Sequence, residues 1–302
     1  MPRHFKVKSS STKKRPRRSR QRKSGLKMWA ERKLGHGYKR WFIVGSIVAV
    51  FIYAFIFYKY TIAPFTTRWR ALYGEIEYPK GYSIHGIDVS HHQDRIDWEK
   101  VAQTKVAGEP LEFVIIKATE GKTHIDTYFN ENFYQAGVYG LIRGAYHYFK
   151  PNVSGDVQAE HFMRQVHLEE GDLPPVLDIE EIGNLTPKAL QSEALEWLKT
   201  LEQRYGVPPI IYTGLKFKQS YLNNAAFERY PFGIAHYYGK ELGYKGEWKF
   251  WQHTDLGRVD GIKGAVDFNV YNGSMYDLRK LTIGHSEFPS SERPNETTIS
   301  GE

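Results

Sequence analysis

Eighteen consecutive residues without a charge, WFIVGSIVAVFIYAFIFY from Trp41 to Tyr58, stand out from an otherwise mixed chain. At 1.5 Å of rise per residue the run spans about 27 Å, close to the hydrocarbon thickness of a bilayer, with aromatic residues at both ends. It predicts one transmembrane helix. From Tyr82 onward the pattern changes to short runs of β-branched and aromatic residues bounded by Gly or Pro, which alternate with helical periodicity. Strands are expected over 83–90, 112–119, 141–149, 174–180 and 208–213. Thr186 can cap a helix, Pro187 suits its first turn, and Leu190, Ala194, Trp197, Leu198, Leu201 and Tyr205 recur on one face before Gly206 ends it. A further helix is expected around Phe217 to Phe227. Three more strand-like runs follow, 231–238, 247–254 and 265–271, with no convincing helix between them.

Alternating strands and helices imply parallel pairing, and eight strands are the number that closes into a barrel with a filled interior. The expected fold is α/β: an irregular (β/α) barrel, TIM-like, with its last three strands poor in helices and the sheet open or irregular near its end, preceded by one transmembrane helix. An open doubly wound sheet is the alternative. In both, functional residues belong at the C-terminal ends of strands.

Charge divides the chain. Residues 1–40 hold sixteen Lys and Arg against one acid, Glu31, leaving 26 bases and 33 acids in the remainder. So basic an arm repels itself and is expected to be disordered. It lies beside the apolar run, where the positive-inside rule puts it in the cytoplasm and everything after Tyr58 on the far side of the membrane. A cleaved signal peptide would have a shorter basic region and a small-residue cleavage site, which the arm and Lys59-Tyr60 do not provide. The membrane, rather than nucleic acid, accounts for the basic excess. Residues 59–80 then form a linker, 81–283 a globular domain and 284–302 a polar, disordered tail. The 302 residues include no cysteine, so disulfides, thiolate metal sites and thiol nucleophiles are excluded. No G-x-S-x-G elbow occurs, and no two histidines stand four apart, which removes the usual serine-hydrolase and helical zinc signatures.

The acids at strand ends are Asp88, Asp178, Glu180 and Asp267. Asp178 and Glu180 are two apart on one expected strand, so both project to one face, roughly 6.6 Å apart along it. Glycoside hydrolysis uses such a pair: one carboxyl, its pKa raised by its neighbour, protonates the leaving oxygen while the other stabilises the cationic sugar. A metal site or a structural ion pair can use the same spacing. Tyr146, Tyr212 and Trp251 offer aromatic faces near strand ends, Gln252 an amide, and His91 or His92 a rim hydrogen bond; Lys117 and Glu120 read as an internal ion pair.

Six blocks in order make the chain recognisable: GIDVSHHQ with IDW behind it, FVIIKATEG, GLIRGAYHYF, PPVLDIE, IIYTG and FWQHTDLGRVDGIKGAVDFNVY. Over about residues 82–275 the chain resembles glycoside hydrolase family 25, the N,O-diacetylmuramidase-type lysozymes. The resemblance implies cleavage of the β-1,4 bond between N-acetylmuramic acid and N-acetylglucosamine in peptidoglycan, without metal or other cofactor. It makes Glu180 the catalytic acid and Asp178 its partner, with Asp88 and Asp267 as further pocket acids. Many members carry Trp in a W-x-A-x-Y strand where this chain has Gly233-Ile234-Ala235-His236-Tyr237, so one aromatic wall is expected to be missing. Two retaining routes stay open. Asp178 or Asp88 could attack the anomeric carbon, or the substrate's own 2-acetamido oxygen could attack with Asp178 stabilising it; the two-residue spacing favours the second. A non-catalytic wall-binding module and a chitinase-like hydrolase are the alternative functions, the first disfavoured by the intact acid pair.

Overall fold

The computed structural model describes residues 25, 28, 38–62, 78–237 and 239–285. Most of the basic arm, most of the expected linker and nearly all of the polar tail therefore lie outside the described residues. Two compact units divide the chain, Met1–Ala63 and Pro64–Glu302.

In the first unit, helix α1 (Tyr38–Phe57) continues through a π-helical turn, Tyr58–Ile62. The side chains from Arg40 to Ile62 are exposed, and Arg40–Ile62 is long and apolar enough to cross a membrane. The helical segment runs past the expected end at Tyr58 because Lys59 to Ile62 contain no breaker, whereas Pro64 disfavours helix in the residue before it.

The second unit is a sheet closed on itself. Its strands are β1 (His85–Val89), β2 (Lys105–Val106), β3 (Glu109–Glu120), β4 (His124–Ile125), β5 (Ile142–Tyr148), β6 (Val176–Asp178), β7 (Ile210–Gly214), β8 (Phe232–Ala235), β9 (Phe250–Gly257) and β10 (Val266–Tyr271). Eight of these form the barrel in the order β1-β3-β5-β6-β7-β8-β9-β10, with β1 pairing both β3 and β10. Helices α2 (Trp98–Gln103), α3 (Phe129–Val138), α4 (Gly155–Gln165), α5 (Pro187–Tyr205) and α6 (Leu215–Tyr221) intervene in sequence, and α7 (Met275–Leu281) follows β10.

Of the two forms expected for the end of the sheet, open or irregular, the second holds: the sheet is closed, and the correction is to parallel pairing, because β10 runs antiparallel to both β9 and β1. The eight residues between β9 and β10 contain no helix. A parallel return needs a crossover of a dozen residues or more, whereas an antiparallel one needs only a short turn. The sixth helix is also shorter than the pattern suggested. Asn223-Asn224 follow it, and Asn224 Oδ1 accepts from the Ala226 backbone N–H at 2.9 Å, a local turn that competes with helix. Helix α5 fits its expectation: Thr186 caps the Ala189 N–H at 3.2 Å, and Gly206 closes the helix in the left-handed region at φ 72°.

Alternate residues along the strands feed two cores. Ile115, Val176, Ile210, Tyr212, Phe250 and Tyr271 fill the barrel interior, closed at one end by Leu278 of α7. Their neighbours Val114, Leu177, Ile211, Trp251, Phe268 and Val270 belong to the outer core, which includes Trp197, Leu198 and Leu201 of α5. The interior thus changes from apolar at one end to acidic at the other, where Asp88 and Asp267 face each other across the β1–β10 pair.

Candidate active site

One cleft of about 540 Å³ opens at the C-terminal end of the parallel strands. Asp88, Tyr146, Asp178, Glu180, Tyr212, Gln252 and Asp267 line it, together with Ile115, Val176 and Tyr237. Asp178 is the last residue of β6, and Glu180 lies just past the strand, where Ile179 still bonds to neighbouring segments: its N–H donates to Tyr212 O at 2.9 Å and its carbonyl accepts from Thr213 Oγ1 at 2.6 Å. That bonding holds the two acids in one cleft although regular pairing has ended. A second opening, about 650 Å³, is lined by Pro174, Pro208 and Pro231 ahead of β6, β7 and β8 and offers only the solvent-exposed acids Glu228 and Glu247.

The cleft acids differ in setting. Asp88 Oδ2 accepts from Gln252 Nε2 and Asn269 Nδ2, each at 2.7 Å. Burial raises its pKa, and these donors, with a hydrogen bond from Asp267, oppose the rise. Asp267, desolvated and facing the Asp88 charge, is pushed up to about 9 and so carries a proton at neutral pH. Asp178 is raised well above the ordinary carboxylate value, first by burial and then by Glu180 and Asp88, while Lys117 opposes the shift. Glu180 is exposed at the cleft mouth, yet it too is raised by desolvation and by the charges of Asp88 and Glu181. Like charges gathered in one cleft oppose one another's ionisation, and both Asp178 and Glu180 are shifted above the usual carboxylate range.

Around the mouth, Lys117 Nζ bonds Glu120 Oε2 at 2.7 Å, the internal ion pair expected of them. Lys150 Nζ reaches Glu120 and Glu181 at 3.2 and 3.5 Å, and both lysines approach the Tyr148 ring. His91 is tied by its backbone N–H and Nδ1 to Asp126 Oδ2 at 2.8 and 2.9 Å. No group of three or more His, Asp or Glu among the described residues has the arrangement of a metal site.

Trp251, expected to contact substrate, is corrected. It points away from the cleft, is 0% exposed, and donates its Nε1–H to His236 O at 2.9 Å within the outer core. Trp251→Phe is expected to cost about 1–3 kcal/mol of stability through the orphaned carbonyl and smaller ring, with turnover per folded molecule unchanged; thermal melts paired with rates check both halves. The space that a side chain at Gly233 would take is filled from the neighbouring strand, because the Tyr212 ring lies where a Cβ at 233 would sit. Two polar residues escaped the sequence reading. Asn269 stands two places after Asp267, so the period of two already put it on the same face. Tyr237 lies just beyond β8, with its hydroxyl donating to Gln252 Oε1 at 2.7 Å.

A closed β/α barrel with four acids crowded into its C-terminal mouth defines a glycoside hydrolase class of site. The Glycosyl hydrolases family 25 model matches residues 87–262, and the chain belongs to that family. It is 44% identical over 254 residues, 81% of this chain and 92% of the relative, to the protein YegX of Escherichia coli (strain K12). It is 35% identical to Lysozyme M1 of Streptomyces globisporus, over 66% of this chain and 71% of that one. A solved bacterial lysozyme from Streptomyces coelicolor superposes with a TM-score of 0.61 at 32% identity, covering 68% of this chain and all of that one.

Proposed function

We propose that this chain is a membrane-anchored muramidase that hydrolyses the β-1,4 bond between N-acetylmuramic acid and N-acetylglucosamine in peptidoglycan. The observation that carries the reading is the acid pair, Asp178 and Glu180, sharing one cleft with both carboxyls raised. Relatives named lysozyme and N,O-diacetylmuramidase support the substrate class.

Glu180, at the open mouth, protonates the glycosidic oxygen as the bond to the anomeric carbon breaks. The 2-acetamido oxygen closes on that carbon from the other face, and its N–H, now part of a cationic ring, is held by Asp178. Glu180 then takes a proton from water, which opens the ring and restores the original configuration. Asp267 keeps its proton and donates to Asp88, so the cleft faces the developing cation without four full charges repelling one another. Purified peptidoglycan digested with the enzyme and analysed by mass spectrometry is expected to yield fragments with N-acetylmuramic acid at the reducing end. Fragments ending in N-acetylglucosamine, or intact glycan, would overturn the assignment.

The anchor is the segment Arg40–Ile62, with the basic arm in the cytoplasm and the barrel on the side where the wall lies. A reporter fused after Glu302 is expected to be active only if it requires export. Activity of a cytoplasm-only reporter at that position would remove both the orientation and access to the substrate.

A further inference from the structure

Asp88 is held by two separate chains of hydrogen bonds, and each begins at a tyrosine hydroxyl. On one side the Tyr212 hydroxyl donates to Asn269 Oδ1, and Asn269 Nδ2 donates to Asp88 Oδ2 at 2.7 Å. On the other the Tyr237 hydroxyl donates to Gln252 Oε1 at 2.7 Å, and Gln252 Nε2 donates to the same Asp88 oxygen at 2.7 Å. A carboxamide has an accepting end and a donating end, and only the donating end stabilises a carboxylate. A hydroxyl proton delivered to the amide oxygen selects the orientation in which the N–H points at Asp88. Asn269 is fully buried, so no solvent is at hand to do this in place of Tyr212.

Gly233 makes the first chain possible. Tyr212 sits opposite Gly233 in the β7–β8 pair and opposite Asp178 in the β6–β7 pair. A Cβ at 233 would overlap Cε2, Cδ2 and Cζ of the Tyr212 ring. The glycine is needed there for the room it leaves. With only 8% of Tyr212 exposed and its hydroxyl engaged with Asn269, little of the residue is left to stack on a sugar.

We infer that Tyr212 is a positioning residue: seated on Gly233, it fixes the Asn269 amide so that Asp88 stays ionised and oriented within the cleft. Other groups acting on Asp88 are Asp267 from β10, Gln252 from β9, Asp178 and Glu180 at the end of β6, Tyr146 from β5 and Tyr237 beyond β8. On β3 its neighbour in register is the apolar Ile115. None of these replaces the Asn269 donor. Without the Tyr212 hydroxyl, Asn269 is free to turn its oxygen toward Asp88, which favours the protonated carboxyl.

The role in turnover rests on the muramidase reading; the role in orienting Asp88 does not, and the test separates them. Tyr212→Phe, Gly233→Ala and the double variant are prepared alongside the parent enzyme. Their Asp88 carboxyl is titrated by NMR with carboxyl-labelled aspartate, assigned through Asp88→Asn, and kcat and KM are measured on soluble peptidoglycan glycan across pH. Expected in Tyr212→Phe are an Asp88 titration moved to higher pH, a kcat lower by about tenfold or more at unchanged KM, and a low-pH limb moved in the same direction. Gly233→Ala, which keeps the hydroxyl but displaces the ring, is expected to do the same, and the double variant no more than either single change. This second route keeps the test decisive should Tyr212→Phe not fold. An unmoved Asp88 titration in the folded variants, a rise in KM alone, or additive single effects would overturn the inference. A titration moved in the variants, with a parent enzyme that leaves peptidoglycan uncut, would instead overturn the muramidase reading and leave the positioning role standing.

Discussion

Glu180→Gln is expected to lower turnover on peptidoglycan by about 10²–10⁴-fold, the usual contribution of a positioned general acid, while the protein folds normally. Glutamine keeps the shape of the side chain but has no proton to give the leaving oxygen and cannot afterwards accept one from water. Folding is spared because Glu180 is exposed at the cleft mouth and carries no core packing. The pH profile supplies a second check. Because desolvation and the charges of Asp88 and Glu181 raise Glu180, its proton leaves at a pH above the ordinary carboxylate range. Parent activity should therefore persist through mildly acidic pH and decline on the alkaline side as that proton is lost. In Glu180→Gln this decline should disappear along with most of the rate. Near-parental turnover in the variant, measured as new reducing ends, would assign the acid to another carboxyl in the cleft.

The positions of the acids were legible because strand ends carry their own signals. Pro174-Pro175 ahead of an apolar pair marked a strand over 174–180; the regular strand is the shorter Val176–Asp178, with Glu180 just past its end, yet both acids fall in the one cleft as expected. Strand direction was not legible at β10. Alternation along Val266–Tyr271 marks which residues share a face but does not record which way the strand runs. Burial on both faces misled the reading of Trp251: β9 is buried along nearly its whole length, so alternation gives no phase, and only the folded barrel puts Gln252 inside and Trp251 outside. Gly233 was legible as a departure from the family pattern but not in its effect. That a neighbouring strand's Tyr212 would occupy the vacated space is a fact of cross-strand packing, which depends on register and not on composition.

The family resemblance leaves the identity of the nucleophile open, and Asp178→Asn bears on it. If the 2-acetamido oxygen attacks, Asp178 serves by holding the acetamido N–H and balancing its developing charge. An asparagine amide can keep the shape and accept a hydrogen bond but supplies no charge, so the rate is expected to fall by about 10²–10³-fold, the scale for losing one preorganised electrostatic partner. Were Asp178 itself the nucleophile, no comparable residue would replace it and the loss would be more complete. Retention of configuration is common to both routes, so the product's anomeric form does not separate them. A thiazoline that mimics the cyclised acetamido group does, because only the substrate-assisted route builds a cleft complementary to that ring, and intermediate mimics bind far more tightly than substrate. The parent enzyme is expected to be inhibited strongly by the thiazoline and Asp178→Asn much less, since the charge that holds the ring has gone. Asp88 is a poor candidate for attack, with Oδ2 already accepting two hydrogen bonds at 2.7 Å and Asp267 donating a third to its carboxylate. A 2-fluoro glycoside that labels Asp178 or Asp88 efficiently, in an enzyme indifferent to the thiazoline, would reverse the assignment and make the labelled carboxylate the nucleophile.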